Sequence, residues 1–189
     1  MPLSDTEHKV IDPETCKELP VGEVGELIIK GPQVMKGYWN KPVETEEAFI
    51  TINGEKWLRT GDIAKIDGEG YEYIIDRRKE MIKYKGFSVS PAELEKLLFA
   101  HPAVADCALI GKPDRYAGEI PKAFIVTKPE MRASSKEIID FVKNRIAEYK
   151  WIREVEFTDN IPRTPSGKIL RRVLIEKRAH VPQKLRIRF

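Results

Sequence analysis

The chain has 189 residues, enough for one domain or two small ones, and its 41% hydrophobic and 33% charged residues describe a globular protein with a buried core and a well-solvated surface. Thirty-three basic against thirty acidic residues leave a net charge of only +3, a poor match to a dedicated polyanion binder. The two cysteines, Cys16 and Cys107, share no CxxC spacing, so neither a disulfide framework nor a zinc site is suggested and a reducing cytoplasm is the expected compartment.

In chain order, the polar, acidic opening "MPLSDTEHKVIDPETCKEL" has no signal-peptide core. No apolar run reaches the roughly twenty residues needed to span a bilayer. A soluble, intracellular protein is expected. "GELIIKG" (25–31) predicts a strand, and "KPVETEEAF" one or two helical turns after Pro42. "AKIDGEGYEYIID" (64–76) predicts a hairpin turning at Asp67–Gly70. "RRKEMIKYKG" (77–86) is charged and lacks helical periodicity, with Gly86 marking a turn or a close backbone approach.

Two capped helices are predicted next. Ser90, Pro91 and Glu93 open "PAELEKLLFA", and Ser134 with Glu137 opens "SKEIIDFVKNRIAEY". In the second, Ile138, Phe141, Val142 and Ile146 share one face. Strands are predicted in "ADCALIG", "KAFIVTK" and "REVEFTD". The pattern implies an α+β chain: a β-rich segment (1–76), then a small α/β domain (77–189) with a short central sheet flanked by helices. The hand-over falls near Asp76–Lys79.

Three stretches could carry chemistry. "PRTPSGK" (162–168) fails as a phosphate loop, because Pro162 stands where glycine is needed and Ile169 where a hydroxyl is needed. It reads either as a plain helix-entry loop or as a mobile arm carrying the Lys168 ammonium to the start of a basic helix. A point charge on a flexible stem can sit between two anions. "RTGD" (59–62) is either a simple turn or a carboxylate presented to sugar hydroxyls. The charges of 76–95 are either a solvated face or part of a site. His8, His101 and His180 lack ligand spacing, so no metal site is expected. His101 reads as structural and Cys107 as a core residue. The basic segment 168–189 reads as an amphipathic helix with a disordered tail, and it keeps a nucleic-acid reading open.

Taken in order, "GEVGELIIKGPQVMKGYWNKP", "WLRTGD", "YIIDRRKEMIKYKGFSVSPAELE", "KPDRYAGEIPKAFIV" and "IPRTPSGKILRR" resemble the C-terminal part of the adenylate-forming enzyme superfamily. The resemblance runs from about Val10 to Arg172 and is nearest to fatty-acyl and 4-coumarate-type CoA ligases. It implies a two-step reaction in which ATP and a carboxylic acid give an acyl-adenylate, and CoA then displaces AMP. It also implies that Asp62 and Arg77 hold the nucleotide, that Lys79 is a hinge, and that Lys168 is the adenylation lysine. By the same resemblance Lys83 acts in the second conformation, and Lys85, Gly86, Phe87 and Ser88 line the CoA site on the opposite face.

Two positions depart from the family pattern. Cys16 stands where glycine is common, and Ser88 where 4-coumarate ligases commonly carry glutamine. The family's phosphate loop "TSGTTGxPKG" and its acyl pocket are absent from the sequence, so the expectation is a C-terminal fragment, inactive alone. Its partners would be the N-terminal part of the same enzyme, a small carboxylic acid and CoA, with no nucleic acid and no transmembrane segment. Mg2+ would be held by residues outside the chain. Two other readings stay open: an adenylation module that loads a carrier protein, and a basic binding module without catalysis.

Overall fold

The computed structural model describes residues 3–179, and the contacts of the chain divide it into two units, Met1–Lys79 and Glu80–Phe189. In the first unit, strands β1 (Glu7–Ile11), β2 (Gly25–Lys30), β3 (Phe49–Ile52), β4 (Glu55–Ile66) and β5 (Glu72–Arg77) form one sheet. Its order is β1-β2-β4-β3, with β5 also paired to β4, and every pairing is antiparallel. Helix α1 (Pro42–Glu47) is the short helix expected after Pro42. Ile11, Ile28 and Trp57 form the core of this unit, with Ile50 and Ile52 packed against them.

Backbone chemistry sets both hairpins. At the predicted turn the Asp67 carboxylate accepts from the amides of Glu69 and Tyr71, and the Tyr73 hydroxyl donates to it. The β3–β4 hairpin is not anticipated by the sequence reading. Its two-residue turn is Asn53-Gly54, left-handed at both positions (φ 51° and 82°), the arrangement that matches strand twist.

The second unit holds β6 (Ile82–Tyr84), β7 (Phe87–Val89), α2 (Pro91–Leu98), β8 (Val104–Asp114), β9 (Gly118–Thr127), α3 (Ser135–Lys143), β10 (Glu154–Phe157) and α4 (Arg171–Ala179). The sheet order is β10-β9-β6-β7, with β8 on β9, and β10 runs parallel to β9. Alternation along β8 sends Cys107 and Leu109 into a core with Leu94 and Leu98 of α2 and Ile138 and Val142 of α3. Ala108 and Ile110 pack instead with Phe124, Ile161 and Leu174 of α4. Helices therefore cover both faces of the sheet, and the α+β expectation holds.

Both helix caps form as predicted. The Ser90 and Ser134 hydroxyls accept from the amides of Glu93 and Glu137, and the Glu137 carboxylate in turn accepts from the Ser134 amide. Helix α3 is shorter than its periodicity implies. It ends at Lys143: the Arg145 amide turns to the Val142 carbonyl while its side chain takes that of Phe141, and Trp151 takes the Ile146 carbonyl beyond the helix. Ile146 still packs on the core, from the segment after the helix. Buried Lys122 on β9 pairs with Glu154 (2.8 Å) and Glu156 (2.7 Å), tying β10 into place. His101 is structural: its ring accepts from the Ala103 amide and meets Phe141 edge-on. Burial pushes the Cys107 thiol up to about 12, so it stays an unreactive core group. His180 and the end of the basic segment lie outside the described residues.

Candidate functional site

"RTGD" is not a turn between elements. It lies inside β4, where the pairing with β2 passes from Ile63 opposite Glu26 to Arg59 opposite Ile28. Thr60, Gly61 and Asp62 are left over against Leu27, a bulge with Gly61 in the left-handed region (φ 72°). Thr60 repairs the interrupted ladder. Its hydroxyl donates to the Leu27 carbonyl (2.8 Å) and accepts from the Asp62 amide (3.0 Å). The bulge re-aims Asp62, whose carboxylate meets the Arg77 guanidinium of β5 at 2.8 Å.

The residue that sequence reasoning missed here is Glu26. It is only 1% exposed, and it is held by the Arg59 guanidinium and by Arg78 at 3.4 Å. Arg59 also donates to the Pro13 carbonyl, and the carboxylate beside it holds its charge firmly. A buried carboxylate needs such partners, so Glu26 and Arg59 brace the strand just ahead of Asp62. A "GEL" stretch read only as a strand carried the signal: a glutamate between apolar residues of a buried run.

Lys79 lies in a one-turn 3-10 helix, Arg78–Glu80, and is the last residue of the first unit. In the second unit, "IKYKGFSV" forms a β6–β7 hairpin where the sequence shows only a charged stretch. Lys85 and Gly86 are both left-handed (φ 49° and 84°), so they form a tight two-residue turn. The Lys85 amide donates to the Ala117 carbonyl, seating the turn on the tip of the β8–β9 hairpin. Lys83 and Ser88 lie opposite each other, and the lysine ammonium donates to the serine hydroxyl (2.8 Å). Exposed Phe87 stacks on Tyr149 with ring centres 4.7 Å apart. A Cβ on Gly86 would meet nothing within 4 Å, so the glycine is required here by its φ, not by crowding.

The Lys168 loop differs from the mobile arm of the sequence reading. Arg163 and Ile169 form a β-bridge, the Thr164 amide donates to the Lys168 carbonyl, and the Gly167 amide donates to the Thr164 carbonyl. The Thr164 hydroxyl accepts from the Lys168 amide. Helix α4 begins at Arg171, so Lys168 sits at the end of a closed loop and not at the helix start. Its side chain is exposed, with no ion-pairing carboxylate among the described residues.

The structure brings Lys83, Lys85, Gly86, Phe87 and Ser88 together and sets them apart from Lys168. β6 meets β9 at Gly118, whereas the Lys168 loop is clasped by Arg163 to Asp106, which lies opposite Val126. At about 3.3 Å per residue, those two points on β9 are roughly 26 Å apart. Among the described residues no group of three or more histidine, cysteine or acidic side chains could hold a metal ion.

Comparison with known proteins finds relatives that match both units. The family described as "AMP-binding enzyme C-terminal domain" matches residues 93–168, and "AMP-binding enzyme" matches residues 1–39. The chain is 49% identical over 173 residues to 4-coumarate–CoA ligase-like 3 of Arabidopsis thaliana, covering 92% of this chain and 31% of that protein. The chain thus spans about three tenths of the length of the curated relatives it matches. The ATP-bound MatB of Rhodopseudomonas palustris superposes with a TM-score of 0.86 at 35% identity, over 95% of this chain and 35% of that one. A Mycobacterium tuberculosis fatty acyl CoA synthetase is 40% identical, with a TM-score of 0.64 over 92% of this chain and 33% of its own.

Proposed function

Because the chain belongs to the AMP-binding, adenylate-forming enzyme family, we propose that it is the C-terminal part of an acid–CoA ligase acting on a carboxylic acid of the fatty-acyl class. The likeness to the fatty acyl CoA synthetase supports that substrate class. In the first step an acid oxygen attacks the α-phosphorus of ATP, and the bond to the β-phosphate oxygen breaks to release pyrophosphate. In the second the CoA sulfur attacks the acyl carbon, the acyl–oxygen bond breaks, and AMP leaves while the thiol proton passes to solvent. Mg2+ neutralises phosphate charge in such chemistry, and its ligands belong to other parts of the enzyme. A cytoplasmic location belongs to the same proposal, supported by the two widely separated free cysteines.

One observation carries the two-step reading: two basic, glycine-turned loops lie at opposite ends of β9 in the second unit. Loops anchored at different ends of one strand suit two separate steps better than a single shared reaction centre. Lys168 takes the adenylation step. An unpaired ammonium between an attacking carboxylate and an α-phosphate stabilises the anionic transition state. The β6–β7 hairpin takes the thioester step, with Lys83 and Ser88 supplying donors and Lys85-Gly86 a narrow backbone edge. Rotation at Lys79 exchanges the two ends. In the first unit, Asp62 accepts from ribose hydroxyls while Arg77 orients its carboxylate.

Two measurements test this. The 189-residue chain alone should show no acid-dependent ATP–pyrophosphate exchange, and exchange with any acid would refute its being part of a larger catalyst. In the full-length enzyme, a panel of fatty acids should give acyl-CoA. Transfer to a carrier-protein phosphopantetheine in place of CoA would overturn the ligase assignment.

A further inference from the structure

Two arginines of the "PRTPSGKILRR" stretch have no part in the reaction as described, yet they make the most extensive polar contacts around it. Arg163 precedes Lys168 and Arg171 follows it. The Arg163 guanidinium forks onto Asp106 of β8, with Nη2 at 2.7 Å from Oδ1 and Nε at 3.3 Å from Oδ2. Its remaining nitrogen, Nη1, donates to the Gly167 carbonyl at 2.8 Å. One side chain therefore ties the sheet to the peptide immediately before Lys168.

Arg171 anchors the other flank to helix α2. Its Nη2 donates to both oxygens of buried Glu95 on α2, at 2.8 and 2.9 Å, and its Nε faces Glu80 at 3.5 Å. Glu95 is itself fixed, since its Oε1 accepts from the Leu109 amide of β8. Glu80 is the first residue of the second unit, directly after Lys79. Between the two arginines, Ile169 packs on the core that contains Leu174 and Ile110.

Magnitudes show what these contacts are for. The Arg163–Asp106 pair is partly exposed, so as an ion pair it contributes little stability. A forked guanidinium that also holds a backbone carbonyl instead fixes direction. Lysine has a long, freely rotating stem, so the position of its backbone decides where the ammonium can reach. We propose that Arg163 and Arg171 are positioning residues for Lys168, clasping its loop to β8 and α2 so that the loop moves as one body with the second unit. This inference rests on the assignment of Lys168 to the adenylation step.

The test is a double-mutant cycle in the full-length enzyme, read by acid-dependent pyrophosphate exchange. Arg163→Ala should lower kcat about a hundredfold, the scale of a small misplacement of a catalytic group. The KM for ATP should change little, because ground-state binding is untouched. Arg163→Lys should fail to restore the rate, since an ammonium cannot fork. In a Lys168→Ala background, Arg163→Ala should have almost no further effect, because it acts only through that lysine. CoA transfer from preformed acyl-adenylate should survive in all these variants. Asp106→Asn, which keeps the side-chain shape, should reproduce the kcat loss if the arginine variant folds poorly. Equal losses from Arg163→Ala in both backgrounds, or parallel loss of both half-reactions, would overturn the positioning role while leaving the lysine assignment intact. Full exchange by Lys168→Ala itself would overturn both.

Discussion

The two loops tied to opposite ends of β9 are anchored to the second unit by opposite means. The Lys168 loop closes on itself by backbone bonds, but it is tied to the rest of the unit by side chains, through the fork of Arg163 on Asp106 and the Arg171 Nη2 bonds to Glu95. The β6–β7 turn is held by backbone, through left-handed Lys85 and Gly86 and one amide bond to Ala117. The difference teaches where each is vulnerable. A loop set by charged side chains fails when a charge is removed, and a turn set by φ fails when glycine is replaced. A lysine that must reach a crowded anionic centre needs its direction specified, whereas a backbone edge needs only its shape.

The largest expected effect falls on the side-chain loop. In the full-length enzyme Lys168→Ala should lower acid-dependent pyrophosphate exchange about a hundred- to a thousandfold, roughly 3–4 kcal/mol of transition-state stabilisation. CoA transfer from supplied acyl-adenylate should be nearly unchanged. Loss of both half-reactions to the same degree would erase the division between the two ends.

Gly86→Leu is the reciprocal experiment. A side chain at φ 84° is strained by about 1–2 kcal/mol, enough to open or shift the turn. Transfer to CoA should fall about tenfold or more while pyrophosphate exchange is spared, equivalent to about 1.4 kcal/mol or more on that barrier. Thermal melts must accompany the kinetics. A variant that melts like the parent yet transfers normally would leave Gly86 as an ordinary turn residue.

A smaller effect concerns the seat of that turn. The Asp114 carboxylate accepts from the amides of Tyr116 and Ala117, and these bonds, that to Tyr116 foremost, lower its pKa below the ordinary aspartate value. A carboxyl with a depressed folded-state pKa stabilises above its unfolded value, and that contribution is lost as pH falls through the folded one. The amide-proton shifts of Tyr116, Ala117 and Lys85 should therefore move together under acid, below the usual carboxylate range. In Asp114→Asn the acid-dependent movement should vanish. The Lys168 loop should keep its own shifts through the change at Asp114, and movement of the Gly167 amide with them would show that the two ends are not independent.

The smallest effect sharpens the argument about left-handed backbone. Cys16 has φ 59° in the turn that closes with the Asp12 amide donating to the Lys17 carbonyl. Cys16→Gly should raise stability by about 0.5–1 kcal/mol, the relief of left-handed strain less the entropy of glycine. A lower melting temperature would show that the contacts of Cys16 with the Trp57 core outweigh its strain.

The sequence by itself determined whatever depends on neighbours along the chain. Both serine caps, the Asp67 turn, the alternation of β8 and the two-unit order of elements follow from local hydrogen bonding and the periods of strand and helix. The Asn53-Gly54 hairpin is equally local, since both its turn residues are of the types that adopt left-handed backbone. The tertiary structure decided what depends on distant partners. "RTGD" becomes a bulge in β4 because Leu27, on another strand, receives the Thr60 hydroxyl. Helix α3 stops at Lys143, where the Arg145 side chain takes the Phe141 carbonyl, and beyond it Trp151, five residues on, takes the Ile146 carbonyl. Lys83 finds Ser88 only once the charged stretch folds back as a hairpin. The five motifs identify the family, but they do not show that Arg163 reaches Asp106 or that Arg171 reaches Glu95. Those ion pairs join residues 57 and 76 positions apart, and no local pattern of charge encodes a contact made at that separation.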